Sequence, residues 1–140
     1  MQNKGVDTEK SYPYEAVDGN CRFKPNSIGA TVKNYSDIKA GDELALTEAV
    51  ANVGPISVAM DGSQSSFQFY SSGVYDEPNC SNINVDHTLA IVGYGTLDGK
   101  DYYISKNSWG TTWGLNGYVL MSRNKNNQCG IANVASYPIV

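Results

Sequence analysis

His87 is the only histidine in the sequence, and it stands at the start of the apolar stretch HTLAIVGYG. An imidazole that acts as a base needs a neighbour that holds its tautomer and ring plane. Asn107 offers a carboxamide oxygen that accepts the ring N–H without adding charge, and Trp109 would exclude competing water from that bond. Both residues also have ordinary structural interpretations, because a lone histidine often only donates a hydrogen bond and an asparagine at a strand end usually forms a turn.

Two predicted strands position this pair. HTLAIVGYGTL (87–97) and DYYISKNSWG (101–110) lie on either side of Asp98-Gly99, a dipeptide typical of tight hairpin turns. In such a hairpin the start of the first strand meets the end of the second. The pattern therefore permits contact between the side chains of His87 and Asn107.

Helix and strand patterns surround the hairpin. GDELALTEAVANVGP (41–55) predicts a helix that ends at Gly54-Pro55, since its apolar residues recur at helical spacing; these are Leu44, Leu46, Ala49, Val50 and Val53. PISVAMD (55–61) and GYVLMSR (117–123) predict strands, the first with Ile56, Val58 and Met60 on one face.

The segments at either side of these elements are less regular. SSFQFYSSGVYDEPNCSN (65–82) predicts a short turn or helix that leads into a surface loop. The first residues predict the end of a helix, with Gly5 as its stop, followed by an extended segment. One helix followed by mostly sequential strands indicates an α+β unit with an antiparallel sheet or a partial barrel.

The amino-acid composition excludes several classes of function. The sequence has 140 residues, of which 41 % are hydrophobic and 17 % charged, so it suits one packed domain or a large piece of one. The net charge of −4 comes without a basic cluster, which argues against nucleic acid as a partner. No apolar run approaches the ~18 residues that cross a bilayer, and no N-terminal leader is visible, so we expect neither membrane contact nor a targeting segment.

The cysteines indicate an oxidising compartment rather than a metal site. Cys21, Cys80 and Cys129 lack metal-ligand spacing. If two of them pair, the third is either free or bonded to a cysteine outside this sequence. Two Asn-x-Ser sequons, at Asn34 and Asn79, also favour the secretory route over the cytosol.

Long motifs carry a resemblance to a known family. DHTLAIVGYG, YYISKNSWGTTWGLNGYVLMSR and CGIANVASYP resemble the C-terminal half of papain-like cysteine proteases, most closely the cathepsin L group, and YPYEA and GPISVAMD fit as well. The resemblance runs from about residue 5 to the last residue. It implies a papain-like fold: residues 1–30 as the end of the left, helical domain and the crossover, 31–132 as the right, β-barrel-like domain, and 133–140 as a tail that returns to the left domain.

The same resemblance implies roles for individual residues. His87 matches the general base and acid, Asn107 the residue that orients it, and Trp109 the tryptophan that shields their bond. Trp113 matches a tryptophan on the leaving-group side of the cleft. The other residues expected to bind substrate are Ala59, Val85, Asp86, Thr88 and Val134. No cofactor and no metal are implied.

Two of these residues predict a narrow specificity pocket. Ala59, Val85, Thr88 and Val134 match the wall of the pocket that receives the second side chain of the substrate. Thr88 stands where the family usually has glycine or alanine, and Val134 where cathepsin L commonly has alanine. We therefore expect a preference for Val or Leu over Phe.

The family's nucleophile is a cysteine about 130–150 residues before the histidine, and only 86 residues precede His87. We therefore expect the nucleophile outside this chain, and no peptide hydrolysis by the chain alone. The resemblance also implies a Cys80–Cys129 disulfide and a partner for Cys21 in an N-terminal half. It implies peptide or protein substrates and a lysosomal or secreted parent protein.

Two alternatives compete with the protease. A silicatein-like homologue would carry serine at the nucleophile position and template silica, although Asp86 and the lack of a long serine run favour the protease. A stand-alone binding or inhibitory module has no supporting motif, and the odd cysteine count argues against it.

Overall fold

The structure is a computed structural model that describes residues 5–140. The described residues form two compact units. One contains the chain up to Ser36 together with Pro138–Val140, and the other contains Asp37–Tyr137. The predicted assignment of residues to left and right domains stays a prediction.

The first unit contains a small antiparallel sheet. Strands β1 (Gly5–Asp7) and β2 (Ile28–Thr31) pair, and a 3-10 helix (Pro25–Ser27) precedes β2. Strand β3 (Asn34–Asp37) follows. None of these strands was predicted. The helix end expected before Gly5 lies in residues 1–4, outside the described residues, and Gly5 itself begins β1.

The second unit contains the predicted helix and most of the predicted strands. The elements are α1 (Glu43–Asn52), β4 (Ile56–Met60), α2 (Ser65–Gln68), β5 (Val74–Tyr75), β6 (His87–Leu97), β7 (Lys100–Lys106), β8 (Tyr118–Ser122), a 3-10 helix (Gln128–Gly130) and the first three residues of β9 (Ala135–Ile139). Neighbouring strands follow the order β9-β4-β6-β7-β8-β5. All the pairs are antiparallel except β5 with β8. The predicted α+β class, a mainly antiparallel sheet with one main helix, is confirmed.

The β6–β7 hairpin is the element that matters most for the site. Its turn residues Asp98 and Gly99 have φ values of 50° and 76°, and two positive φ angles are what a type I′ hairpin turn requires. The strands pair from Leu97 opposite Lys100 to Ala90 opposite Lys106. The predicted hairpin is therefore present, and its open end carries His87.

The core lies between α1 and the sheet. Strand β4 buries alternate residues, as predicted, and α1 buries Leu46 and Val50. Two other apolar residues of the helical pattern lie at the surface, since Leu44 is 68 % exposed and Val53 51 %. Leu44 lies about half a turn around the helix from Leu46, and Val53 comes after the last helical residue.

Cys80 and Cys129 form a disulfide, the pairing that the family resemblance implies. It joins the loop before β6 to the 3-10 helix Gln128–Gly130. Cys21 is free and exposed. Within residues 5–140, no helix is both long enough and apolar enough to cross a membrane.

Candidate active site

The structure brings His87 and Asn107 into direct contact. His87 is the first residue of β6, and Asn107 follows the last residue of β7. The ring nitrogen Nε2 lies 2.8 Å from the carboxamide oxygen Oδ1. The backbone N–H of Asn107 donates to the carbonyl of Gly117 at 2.9 Å, which holds the strand end in place. The hairpin thus joins two side chains that are twenty residues apart in sequence.

A second hydrogen bond determines the tautomer of the imidazole. The backbone N–H of Ser108 donates to the same Oδ1 at 2.8 Å, so that this atom of Asn107 is the acceptor. Because Oδ1 accepts, Nε2 of His87 must carry the hydrogen in this bond. The other ring nitrogen, Nδ1, is then the one with a free lone pair, and it has no hydrogen-bond partner among the residues that the structure describes. The arrangement leaves Nδ1 ready to accept a proton.

Aromatic rings enclose the histidine. The centroid of the Trp109 ring lies 4.9 Å from that of His87. Phe67, which is fully buried, contacts His87, Trp109 and Trp113 with centroid distances of 5.7, 5.4 and 5.2 Å. These rings exclude water from one side of the imidazole, and in such a low-dielectric environment the bond between His87 and Asn107 is stronger than it would be in water.

Helix α2 positions this aromatic cluster. Phe67 lies in α2, and the carbonyl of Gln68 accepts the indole N–H of Trp113 at 2.9 Å. Sequence reasoning missed Phe67 because α2 has only four residues and shows no usable periodicity. The three aromatic residues of FQFY (67–70) were the only signal available.

Asp86 connects the start of β6 to the end of β4. Its carboxylate accepts the backbone N–H of Gly62 at 2.8 Å, and its own N–H donates to the carbonyl of Met60 at 3.1 Å. Met60 lies opposite His87 in the strand register. These contacts hold the backbone that carries the imidazole.

Three of the residues expected to line the specificity pocket lie close together in the structure. Ala59 lies opposite Thr88 in the β4–β6 pairing, and its N–H donates to the carbonyl of Val134 at 3.0 Å. Thr88 and Val134 are exposed. Val85 packs against Gly130, where an added Cβ would lie 2.8 Å from the Val85 methyl carbon. Ala59, Thr88 and Val134 are thus neighbours.

Asp61 is a buried carboxylate that the sequence did not single out. Its oxygens accept hydrogen bonds from the hydroxyl and N–H of Ser63, at 2.6 and 3.0 Å, and from the N–H of Ser81 at 2.7 Å. Burial by itself would raise the pKa of Asp61, but the hydrogen bonds from Ser63 and Ser81 outweigh it and lower the pKa. The group ties the loop of the disulfide to the end of β4.

No cluster of three or more His, Cys, Asp or Glu side chains suited to a metal ion occurs in the part of the chain that the structure describes. The arrangement built around His87 therefore consists of an oriented imidazole, a carboxamide and an aromatic shield.

A family model described as "Papain family cysteine protease" matches residues 1–139. The chain belongs to this family. A cathepsin L-like peptidase from Aedes aegypti is 60 % identical over 139 residues, covering 99 % of this chain and 41 % of the relative. Cathepsin L1 from Drosophila melanogaster is 58 % identical, covering 99 % of this chain and 38 % of the relative. This papain-family chain thus spans about two fifths of the length of these relatives.

Solved structures agree with this membership. The digestive procathepsin L2 proteinase from the larval midgut of Tenebrio molitor superposes on this chain with a TM-score of 0.92 at 47 % identity. The match covers 99 % of this chain and 44 % of that structure. The resemblance to cathepsin L-like proteases and the papain-like fold class are confirmed. The silicatein-like alternative finds no support in these relatives, which are named as cathepsins.

Proposed function

We propose that the full-length protein is a papain-like cysteine endopeptidase of the cathepsin L type, in which His87 is the general base and acid and Asn107 orients it. The observation that carries this proposal is the 2.8 Å contact between Nε2 and Oδ1, together with the Ser108 N–H that makes Oδ1 the acceptor. A histidine held in this way has one free basic nitrogen and a fixed ring plane, which general-base catalysis requires.

The reaction follows from these atoms. Nδ1 of His87 takes the proton of a cysteine thiol, and the thiolate attacks the carbonyl carbon of the scissile peptide bond. The imidazolium then gives that proton to the leaving amine as the C–N bond breaks, and water hydrolyses the thioester with His87 again as the base. Asn107 accepts the Nε2–H throughout, so the ring keeps its orientation in both protonation states.

The thiol comes from a part of the protein outside this chain. Cys80 and Cys129 are bonded to each other, and Cys21 is expected to pair with a cysteine of the missing N-terminal half. The 140-residue chain alone should therefore not hydrolyse peptides. A thiol reagent should find one reactive thiol per chain, that of Cys21. Three reactive thiols, or none, would contradict this assignment.

The substrate preference rests on the expected pocket wall of Ala59, Val85, Thr88 and Val134. Thr88 and Val134 add methyl groups to the surface expected to receive the second side chain of the substrate, which reduces its width and depth. One extra methylene changes discrimination in an apolar pocket by about 1–3 kcal/mol. We expect full-length protein to favour Val or Leu over Phe, and the double variant Thr88→Gly/Val134→Ala to reverse this order. Equal or better cleavage of Phe substrates by the unaltered protein would refute the assignment.

The working compartment is lysosomal or extracellular. The Cys80–Cys129 disulfide supports this location, since structural disulfides persist in oxidising compartments. The partners are peptide or protein substrates. No nucleic-acid or membrane partner is proposed.

The experiment that tests the activity compares two variants of the full-length protein on a fluorogenic peptide. His87→Ala should lower kcat by about 10²–10⁴-fold, which is the usual contribution of general acid–base catalysis. Thr96→Ala, at the exposed far end of the same strand, is the matched control and should retain full activity. Activity in His87→Ala above a tenth of that in the control would refute the proposal.

A further inference from the structure

The two Asn-x-Ser sequons of the chain have very different environments. Asn34 lies in β3 and is exposed. Its carboxamide oxygen accepts the N–H of Tyr35 at 2.9 Å. The nitrogen Nδ2, which would carry an oligosaccharide, has no hydrogen-bond partner among the described residues. The hydroxyl of Ser36 is likewise without one across residues 5–140.

The second sequon, Asn79–Ser81, is held by several hydrogen bonds and by a disulfide. The hydroxyl of Ser81 accepts the backbone N–H groups of Ile83 and Asn84 at 3.2 and 2.8 Å. Cys80, the middle residue, is in the disulfide with Cys129. The backbone of Asn79 is bonded on both sides of the residue, because its N–H donates to Glu77 and its carbonyl accepts from Gln64.

We propose that Asn34 is a site of N-linked glycosylation and that Asn79 is not. The transferred group is an oligosaccharide from a lipid-pyrophosphate donor. A bond forms between Nδ2 of Asn34 and the anomeric carbon of the first sugar, the bond from that carbon to the pyrophosphate breaks, and Nδ2 loses a proton. The transferase must engage the hydroxyl of the third sequon residue. Ser36 offers that hydroxyl free, whereas the fold occupies the hydroxyl of Ser81.

The surface around Asn34 suits a bulky polar group. Three of the four residues of β3 are exposed, and the neighbouring Tyr35 side chain is 57 % exposed. A glycan there extends into solvent without displacing core residues. Closure of the Cys80–Cys129 disulfide, by contrast, constrains the segment around Asn79 as soon as the chain folds. The proposal rests on the secretory route assigned under the proposed function.

The test uses full-length protein secreted from eukaryotic cells, analysed before and after peptide-N-glycosidase treatment. The enzyme converts a glycosylated asparagine to aspartate, which peptide mass spectrometry identifies. We expect conversion at Asn34 and none at Asn79. The part of the mobility shift that Asn34 contributes should be lost in Asn34→Gln and Ser36→Ala, and the full shift should remain in Asn79→Gln and in the conservative variant Ser36→Thr.

Mapping of the Cys80–Cys129 disulfide in the same sample separates the two ways in which the proposal can fail. Unmodified Asn34 in secreted protein with that disulfide formed overturns the glycosylation site and leaves the secretory route intact. Unmodified Asn34 in protein that stays in the cell with both thiols reduced overturns the site and the proposed location together. Conversion at Asn79 overturns the distinction between the two sequons.

Discussion

Replacing Asn107 with alanine removes the one acceptor that holds the His87 ring. In the intact protein Oδ1 accepts from Nε2 and from the Ser108 N–H, both at 2.8 Å. The alanine variant keeps the backbone bond between Asn107 N–H and the Gly117 carbonyl, so the strand end stays in place. The ring is then free to rotate and to exchange tautomers, and Nδ1 no longer faces the thiol reliably.

The size of the effect follows from the lost hydrogen bond. When His87 is protonated, its bond to Asn107 joins a charged donor to a neutral acceptor, and such bonds contribute about 1.5–3 kcal/mol. At 1.36 kcal/mol for each factor of ten in rate, kcat/KM should fall by about 10- to 150-fold. The free energy of unfolding should change less, by about 1–2 kcal/mol. The variant loses a hydrogen bond, but it also removes the buried Nδ2, which has no partner among the described residues. Removal of this unpaired polar atom offsets part of the lost stability.

The assay is steady-state hydrolysis of a peptide by full-length protein, with urea unfolding of the same preparations. Ser105→Ala is the matched control, because Ser105 lies two residues earlier on the same stretch and is fully buried, with a hydroxyl that lacks a partner in the described structure. It should retain both activity and stability. The reasoning is wrong if Asn107→Ala keeps its kcat/KM, or if its loss of activity matches a loss of folded protein.

Three further predictions concern the disulfide, the pH dependence of stability and the aromatic shield. The Cys80–Cys129 disulfide joins residues that are 49 positions apart in sequence. Removing it in the double serine variant should lower the free energy of unfolding, measured in urea, by about 4 kcal/mol on the chain-entropy model. The lowered pKa of Asp61 contributes stability at pH values above the unfolded pKa of about 3.9, and this is lost as the pH falls through the folded pKa. Asp61→Asn should therefore destabilise the protein at pH 7 and progressively less as the pH falls below about 3.9, and a deficit that does not change with pH would contradict this. Trp109→Ala should lower kcat/KM about two- to tenfold. Tyr94→Ala is the control and should have no effect, because the Tyr94 side chain is 42 % exposed, close to the 40 % of Trp109.

Local signals explain what could be predicted. The Asp98-Gly99 turn and the alternation of the flanking strands are encoded in adjacent residues, and the structure contains the hairpin they predict. The placement of Asn107 beside His87 follows from that hairpin. The burial pattern of β4 is local in the same way.

The features that could not be predicted are contacts between residues far apart in sequence and elements of only a few residues. Strand β1 pairs with β2 across more than twenty residues, as Gly5 with Thr31, and β5 has only two residues. No local pattern specifies such pairings. Phe67 reaches His87 through a four-residue helix, and its burial depends on tryptophans about forty residues away. Prediction of the Cys80–Cys129 disulfide required the family resemblance, because three cysteines allow three different pairings.

The central claim is that His87 activates a thiol from another part of the protein, and the rate of thiol alkylation tests this most directly. At pH 6 an ordinary cysteine, with a pKa near 8.5, is less than about 1 % thiolate and reacts slowly with iodoacetamide. Full-length protein should lose its activity rapidly at this pH, with one cysteine alkylated. The His87→Ala variant should react at least about tenfold more slowly. Equal alkylation rates in the two proteins would contradict the account.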